Sequence, residues 1–285
     1  MKLRSLFALL LSASTLFAQD VPGAEALRAH NVFEGTRVVV GHSVELRRAG
    51  ELDFLVAHKF GRVNGGIDQF FGLDEATMRL GFDYAPQHWI NVGIGRSTLN
   101  KLVDGFVKVR VLHQQSGVRT VPLTAVLLST AAVTTRRFLD APEAIRFRHR
   151  LSYTHQVLLA RQFSERISVQ LMPTFTHYNL VDRRDLRNDV ISIGGAGKYQ
   201  LNKFIAAKVE YYYALPDQLD PSRTNSLAVG LDFDTGGHVF QLHLSNSGGL
   251  TEPEFIGNTT GSWSDGDIQI GFTISRVFRV RGRRY

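Results

Sequence analysis

Apolar and polar residues alternate one by one along most of this chain. Met78, Leu80, Phe82 and Tyr84 alternate with Thr77, Arg79, Gly81 and Asp83. Ile167, Val169, Leu171, Pro173 and Phe175 oppose Ser168, Gln170, Met172, Thr174 and Thr176. Ile205, Ala207, Val209, Tyr211 and Tyr213 oppose Ala206, Lys208, Glu210 and Tyr212. Successive side chains of a strand point to opposite faces, so a period of two predicts strands with one apolar and one polar face. The segments that carry the pattern are 51–60, 76–85, 89–96, 105–114, 123–134, 146–162, 167–181, 190–199, 204–214, 226–235, 239–246 and 267–278, twelve in all.

The connections alternate in length. Short turns are expected at 47–50, 86–88, 115–118, 164–166, 201–203 and 236–238, and longer polar links at 61–75, 97–103, 136–144, 182–188, 216–225 and 248–266. A water-soluble sandwich also alternates, with its apolar face inside. Here many segments reach the length of about ten residues that a tilted strand needs to cross a bilayer. The polar face holds Gly, Ser, Thr and charges of both signs, which suits a wet lumen. The pattern predicts an all-β, transmembrane antiparallel up-and-down barrel. Tyr84, Trp89, Tyr199, Phe204, Trp263 and Phe278 fall near strand ends, where interfacial rings belong.

Parity then counts the strands. With the short turns on the periplasmic side, twelve strands begin and end there, as a single-chain barrel of even number requires. Segment 37–46 is left over. It can pack as a plug in the lumen, lie in the periplasm, or pair with a strand around 26–34, which would give fourteen.

Composition adds boundaries. The N-terminus has a basic start, the apolar stretch Leu6 to Leu11 and a small residue at Ala18, so residues 1–18 read as a signal peptide. The expected organisation is signal peptide 1–18, N-terminal segment 19–50 and barrel 51–285. The chain has no cysteine, which excludes disulfides and lipidation at a cleavage site. Its net charge of +7 is spread through alternating segments, so nucleic acid is not an expected partner. Outer-membrane lipids are. No His-x-His pair or tight histidine cluster exists in the sequence, and no metal or other cofactor is expected.

The inward face is expected to carry Arg79, Lys108, Arg110, Arg146, Arg148, Arg150, Lys198 and Lys208 against Asp53, Asp83, Glu210, Asp232, Asp234 and Asp267. Arg146, Arg148 and Arg150 read as a basic ladder on one strand. Such a wall either attracts small anionic solutes or pairs into a salt-bridge network that fills the lumen. One stretch looks catalytic. His243-Leu244-Ser245-Asn246 resembles the His-x-Ser-Asn stretch of outer-membrane lipid hydrolases, which place the pair toward lipid. Here Phe240, Leu242 and Leu244 take the lipid face, so His243 and Ser245 point into the lumen, as two polar lumen residues would.

Several stretches together resemble one bacterial outer-membrane β-barrel family catalogued as a domain of unknown function. They include Gly41-His42-Ser43-Val44-Glu45, Arg79-Leu80-Gly81-Phe82-Asp83-Tyr84, Glu210-Tyr211-Tyr212-Tyr213 and Asp234-Thr235-Gly236-Gly237-His238-Val239-Phe240-Gln241. The resemblance runs from about Gly35 to Phe278. It implies fold and location and brings no substrate or catalytic residue. The leading expectation is a pore or small-solute transporter with a basic-biased lumen and no enzymatic role. The alternatives are a closed structural or partner-binding barrel, and a lipid hydrolase acting through His243 and Ser245.

Overall fold

Twelve antiparallel strands close into one barrel in the computed structural model, which describes residues 27–28, 31–117, 120–137, 145–181, 186–235 and 238–280. In chain order they are β1 Glu51–Arg62, β2 Ala76–Gln87, β3 Ile90–Ser97, β4 Leu102–Leu112, β5 Thr124–Thr134 and β6 Leu151–Gln162. They continue as β7 Ile167–Tyr178, β8 Asp189–Gln200, β9 Ile205–Ala214, β10 Ser226–Asp234, β11 His238–Ser245 and β12 Gln269–Arg279. Each strand pairs with its neighbour in sequence, and β12 closes the sheet by pairing antiparallel with β1. The number is the twelve that parity predicts, not fourteen. The leader expected at 1–18 lies outside the described residues.

Closure leaves no sheet edge, so every strand finds a backbone partner, as a bilayer core demands. The side chains sort by face. Met78, Leu80 and Phe82 on β2, Val169, Leu171 and Phe175 on β7, and Val209, Tyr211 and Tyr213 on β9 are exposed on the outside. Their neighbours Arg79, Gln170, Lys208 and Glu210 are buried inside. This apolar exterior around a polar interior is the reverse of a soluble sandwich and defines a membrane barrel. Proline is tolerated at one price in pairing: the β6–β7 ladder skips the positions of Pro173 and Met172, because Pro173 has no N–H to donate.

Two boundaries depart from expectation. Strand β6 begins at Leu151, not at residue 146. Residues Phe147–Arg150 form a 3-10 turn in which His149 N donates to Arg146 O at 3.0 Å. That local bond replaces the strand ladder, although the alternating side chains mimic one. At the opposite end, residues 113–123 connect β4 to β5, a longer link than the turn expected at 115–118. Within it Gln115–Ser116 pair antiparallel with Leu27–Arg28.

Candidate functional site: a filled lumen beneath a vestibule

Residues 31–50 enter the barrel from the short-turn end and occupy the lumen. Val38 N donates to Gly41 O at 2.8 Å, and Ser43 N donates to Thr36 O at 3.1 Å, which folds the segment into a tight hairpin. The backbone groups of its turn have no strand to pair with, so the barrel wall must satisfy them. Glu210 on β9 does so, accepting from Val39 N at 3.2 Å and from Gly41 N at 3.0 Å. Gly41 is required there: a Cβ would run into the Tyr212 hydroxyl and the Glu210 carboxylate.

Other wall side chains act in the same way. Gln170 on β7 accepts from Val44 N and donates to His42 O, each at 2.8 Å, so its amide mimics a backbone unit. Gln241 on β11 donates to Val38 O at 2.7 Å, and Lys108 on β4 to Glu45 O at 2.7 Å. Ion pairs join segment to wall at Arg37–Asp83 (2.9 Å), Arg47–Asp53 (2.5 Å) and Lys198–Glu34 (3.0 Å). Val32, Phe33, Val38, Val39, Val40 and Val44 are buried against Phe106, Val126, Leu128, Leu158 and Met172 of the wall. An apolar core thus lies inside a barrel whose inward face reads mostly polar.

A second element closes the lumen from the long-loop end. The link between β11 and β12 folds inward and forms a short helix, α1, at Glu252–Gly257. Lys59 on β1, fully buried, donates to Ser247 O at 2.7 Å and to Gly249 O at 2.9 Å. Tyr178 donates to Pro253 O at 2.5 Å, and Phe255 packs on Tyr212 with ring centroids 5.3 Å apart. His42 Nε2 lies 3.3 Å from Glu252 Oε1, so the two inserted elements touch. Above α1 a cavity of about 840 Å3 opens among the long links, lined by Asn100, His149, Arg150, Tyr178, Arg223 and Glu254 among others. Burial pushes the Glu254 carboxyl up to about 7, against the Thr251 hydroxyl that donates to it at 3.0 Å.

The residues expected in the lumen divide into two groups. Arg79, Lys108, Lys198, Lys208, Glu210 and Asp232 are buried inside the barrel. Arg79 pairs with Asp104, and Lys208 pairs with Asp232 and reaches Glu34 at 3.5 Å. Arg110 lies 3.9 Å from Glu45 of the inserted segment. Arg146, Arg148 and Arg150 do not form a lumen ladder, because they sit on the 3-10 turn before β6. Arg146 and Arg148 are exposed, and Arg150 donates to Arg136 O at 2.7 Å in the vestibule wall. His243 and Ser245 are buried in the lumen face of β11. Among the described residues neither ring nitrogen of His243 has a hydrogen-bond partner, and the Ser245 hydroxyl accepts from Ser247 N at 3.1 Å, so the two do not form a nucleophile–base pair.

Sequence reading missed Gln170, Gln241, Tyr212 and Lys59 as contacts and missed α1. The helix had a signal: Thr251, Glu252, Pro253 and Glu254 follow two glycines, the usual chemistry of a helix start. The wall contacts had none, since the hairpin they grip is a tertiary partner.

These features define a membrane β-barrel whose lumen is occupied by its own N-terminal segment and one inserted loop. The profile of the family described as "Membrane bound beta barrel domain (DUF5777)" matches residues 33–278, and the chain belongs to that family. No curated protein sequence matches it significantly. Among solved structures, the NanC porin is similar at 12% identity, with 79% of this chain and 98% of that one covered and a TM-score of 0.49. The KdgM porin aligns at 8% identity over 80% of this chain and 99% of its own, with a TM-score of 0.48. The toluene transporter TodX of P. putida aligns at 12% identity over 82% and 89%, with a TM-score of 0.37.

Proposed function

We propose that the protein is an outer-membrane barrel, closed at rest by residues 31–50 and by the α1 loop docked on them through His42 and Glu252, that admits small polar solutes from its vestibule when the segment is displaced and the loop loses that support. The short-turn end then faces the periplasm and the vestibule faces outward, which agrees with the long links gathered around it. The observation that carries the reading is the mode of attachment. The hairpin is held by side-chain hydrogen bonds and ion pairs from Glu210, Gln170, Gln241, Asp83 and Lys198, all of which water can replace. Such groups tolerate an open, wet lumen as well as a filled one. Lys108 and Lys198 lose their partners on the segment when it leaves, as Asp83 and Asp53 lose Arg37 and Arg47. The wall cations Lys59, Arg79, Lys108, Arg110, Lys198 and Lys208 then outnumber the carboxylates Asp53, Asp83, Asp104, Glu210 and Asp232 by one, and this favours anionic solutes.

A second reading is a permanently closed barrel. The buried apolar cluster of Val38, Val39, Phe106, Leu158 and Met172 favours it, because exposing that surface to water is costly. Liposome swelling separates the two. Liposomes carrying a variant without residues 19–46 should swell in small anionic and neutral osmolytes, while those carrying the full chain should not. A deletion variant that folds and stays impermeable would favour the closed reading.

A further inference from the structure

The outer wall of β5 to β8 carries a polar patch on its vestibule side, apart from Arg161 near the short-turn end. Ser129 on β5 stands directly opposite His155 on β6, and its Oγ lies 3.0 Å from His155 Nδ1. Both side chains are exposed, whereas Leu128, Thr130, Thr154 and Gln156 on either side of them are buried toward the lumen. Beside them Tyr153 stacks on His177 with centroids 6.5 Å apart, and His177 Nδ1 lies 2.5 Å from Asp189 Oδ1. Around this island the outward side chains are Leu127, Val157, Phe175 and Ile191, all exposed to lipid.

Ionisable groups on a lipid-facing wall are expensive and mark function by default. The cost falls toward the interface. His155 lies in the half of β6 nearer the vestibule, since the strand starts at Leu151 and ends at Gln162. Asp189 is the first residue of β8 and His177 the last but one of β7, at that same end. Ser129 is the sixth of the eleven residues of β5, so the patch runs from the middle of the wall up to its vestibule rim, where the headgroups lie, and an acyl ester reaches Ser129 by dipping beneath them. Of the pairs such a wall could carry, a hydroxyl hydrogen-bonded to an imidazole is the one with a reaction of its own.

We propose that Ser129 and His155 are a nucleophile–base pair that hydrolyses acyl esters of membrane lipids on the outside of the barrel. The site goes beyond the transport reading and needs no opening of the lumen. His155 accepts through Nδ1 and carries its ring proton on Nε2. As Ser129 Oγ bonds to the ester carbonyl carbon, its proton passes to Nδ1. His155 then returns that proton to the lipid alcohol oxygen as the carbonyl carbon–oxygen bond breaks. Water next attacks the acyl-serine, giving a proton to His155, which passes it to Ser129 Oγ as the fatty acid leaves. Net, one water and one ester give one acid and one alcohol. Tyr153 and the His177–Asp189 pair form the polar ground beside the reacting atoms, suited to a headgroup. The partners are 26 residues apart in sequence, so no short motif announces them.

The test uses the refolded full chain in detergent micelles and a fluorophosphonate probe, with the labelled residue mapped by mass spectrometry. Heat-modifiable gel mobility verifies that each variant is folded. The folded wild type should label at Ser129, S129A should not label, S245A should label normally, and H155A should label about 100-fold more slowly. Mixed micelles of phosphatidylethanolamine should release fatty acid with the wild type and not with S129A. An unlabelled folded wild type, labelling that persists in S129A, or H155A labelled at the wild-type rate overturns the pair. Labelling without fatty acid release overturns the substrate class.

Discussion

Glu210, on the inner face of β9, accepts hydrogen bonds from the backbone N–H groups of Val39 and Gly41 at 3.2 and 3.0 Å. One wall carboxylate thus caps the turn of a hairpin more than 160 residues away in sequence, and Gly41 is what lets it approach. This contact, with the neutral ones in which Gln170 accepts from Val44 N and Gln241 donates to Val38 O, holds a soluble-like core inside a membrane barrel.

Replacing Glu210 should loosen that hold. In E210A two buried N–H groups lose their acceptor, at a cost of about 1–3 kcal/mol, which raises the displaced population roughly 5- to 150-fold. The chain has no cysteine, so a single V40C reporter reads this cleanly. Reactivity of V40C with a water-soluble maleimide should rise by that factor in the E210A background. An unchanged rate would remove Glu210 from the latch.

Glu254 links the inserted loop to pH. Its carboxyl is raised to about 7 from an ordinary 4.5, so the docked loop prefers the protonated form. Its contribution to docking is fully present below pH 4.5 and is lost as pH rises through 7, an effect on the order of 3 kcal/mol. Hydrogen exchange in Gly249–Asn258 should therefore be slower at pH 5 than at pH 8, beyond the intrinsic rate change. E254Q should abolish the difference.

The arginines before β6 should not set selectivity. Replacing Arg146, Arg148 and Arg150 with serine, in a barrel lacking residues 19–46, should leave its anion preference unchanged in reversal-potential measurements. K108Q with K198Q in the same background should reduce that preference, because both lysines line the emptied lumen.

The outer face of β7 should reject charge. L171R puts a cation on the lipid side and should lower unfolding stability by about 2–4 kcal/mol if the site lies near the bilayer midplane. Urea unfolding of the refolded protein in micelles measures it. A neutral effect would place Leu171 outside the bilayer.

The strands were legible because period-two alternation records two solvents, lipid and lumen, residue by residue. Leu80, Phe82, Val169 and Leu171 face out as their spacing requires. Three things were not legible. The alternation of Arg146, Phe147, Arg148 and His149 is compatible with a strand, but a hydrogen bond from His149 N to Arg146 O turns the chain before β6 starts. Val126, Leu128, Leu158 and Met172 face the lumen although apolar, because Val38, Val39 and Phe33 are there to cover them. The Ser129–His155 contact depends on β5–β6 register, which spacing along the chain does not encode.

Residues 31–50 hold this barrel closed, with the α1 loop docked on them, and single-channel recording in a planar bilayer tests this most directly. The full chain should insert without steady conductance, and the variant lacking residues 19–46 should show a stable, anion-preferring channel. Equal steady conductance from both proteins, or silence from a folded deletion variant, would contradict the account.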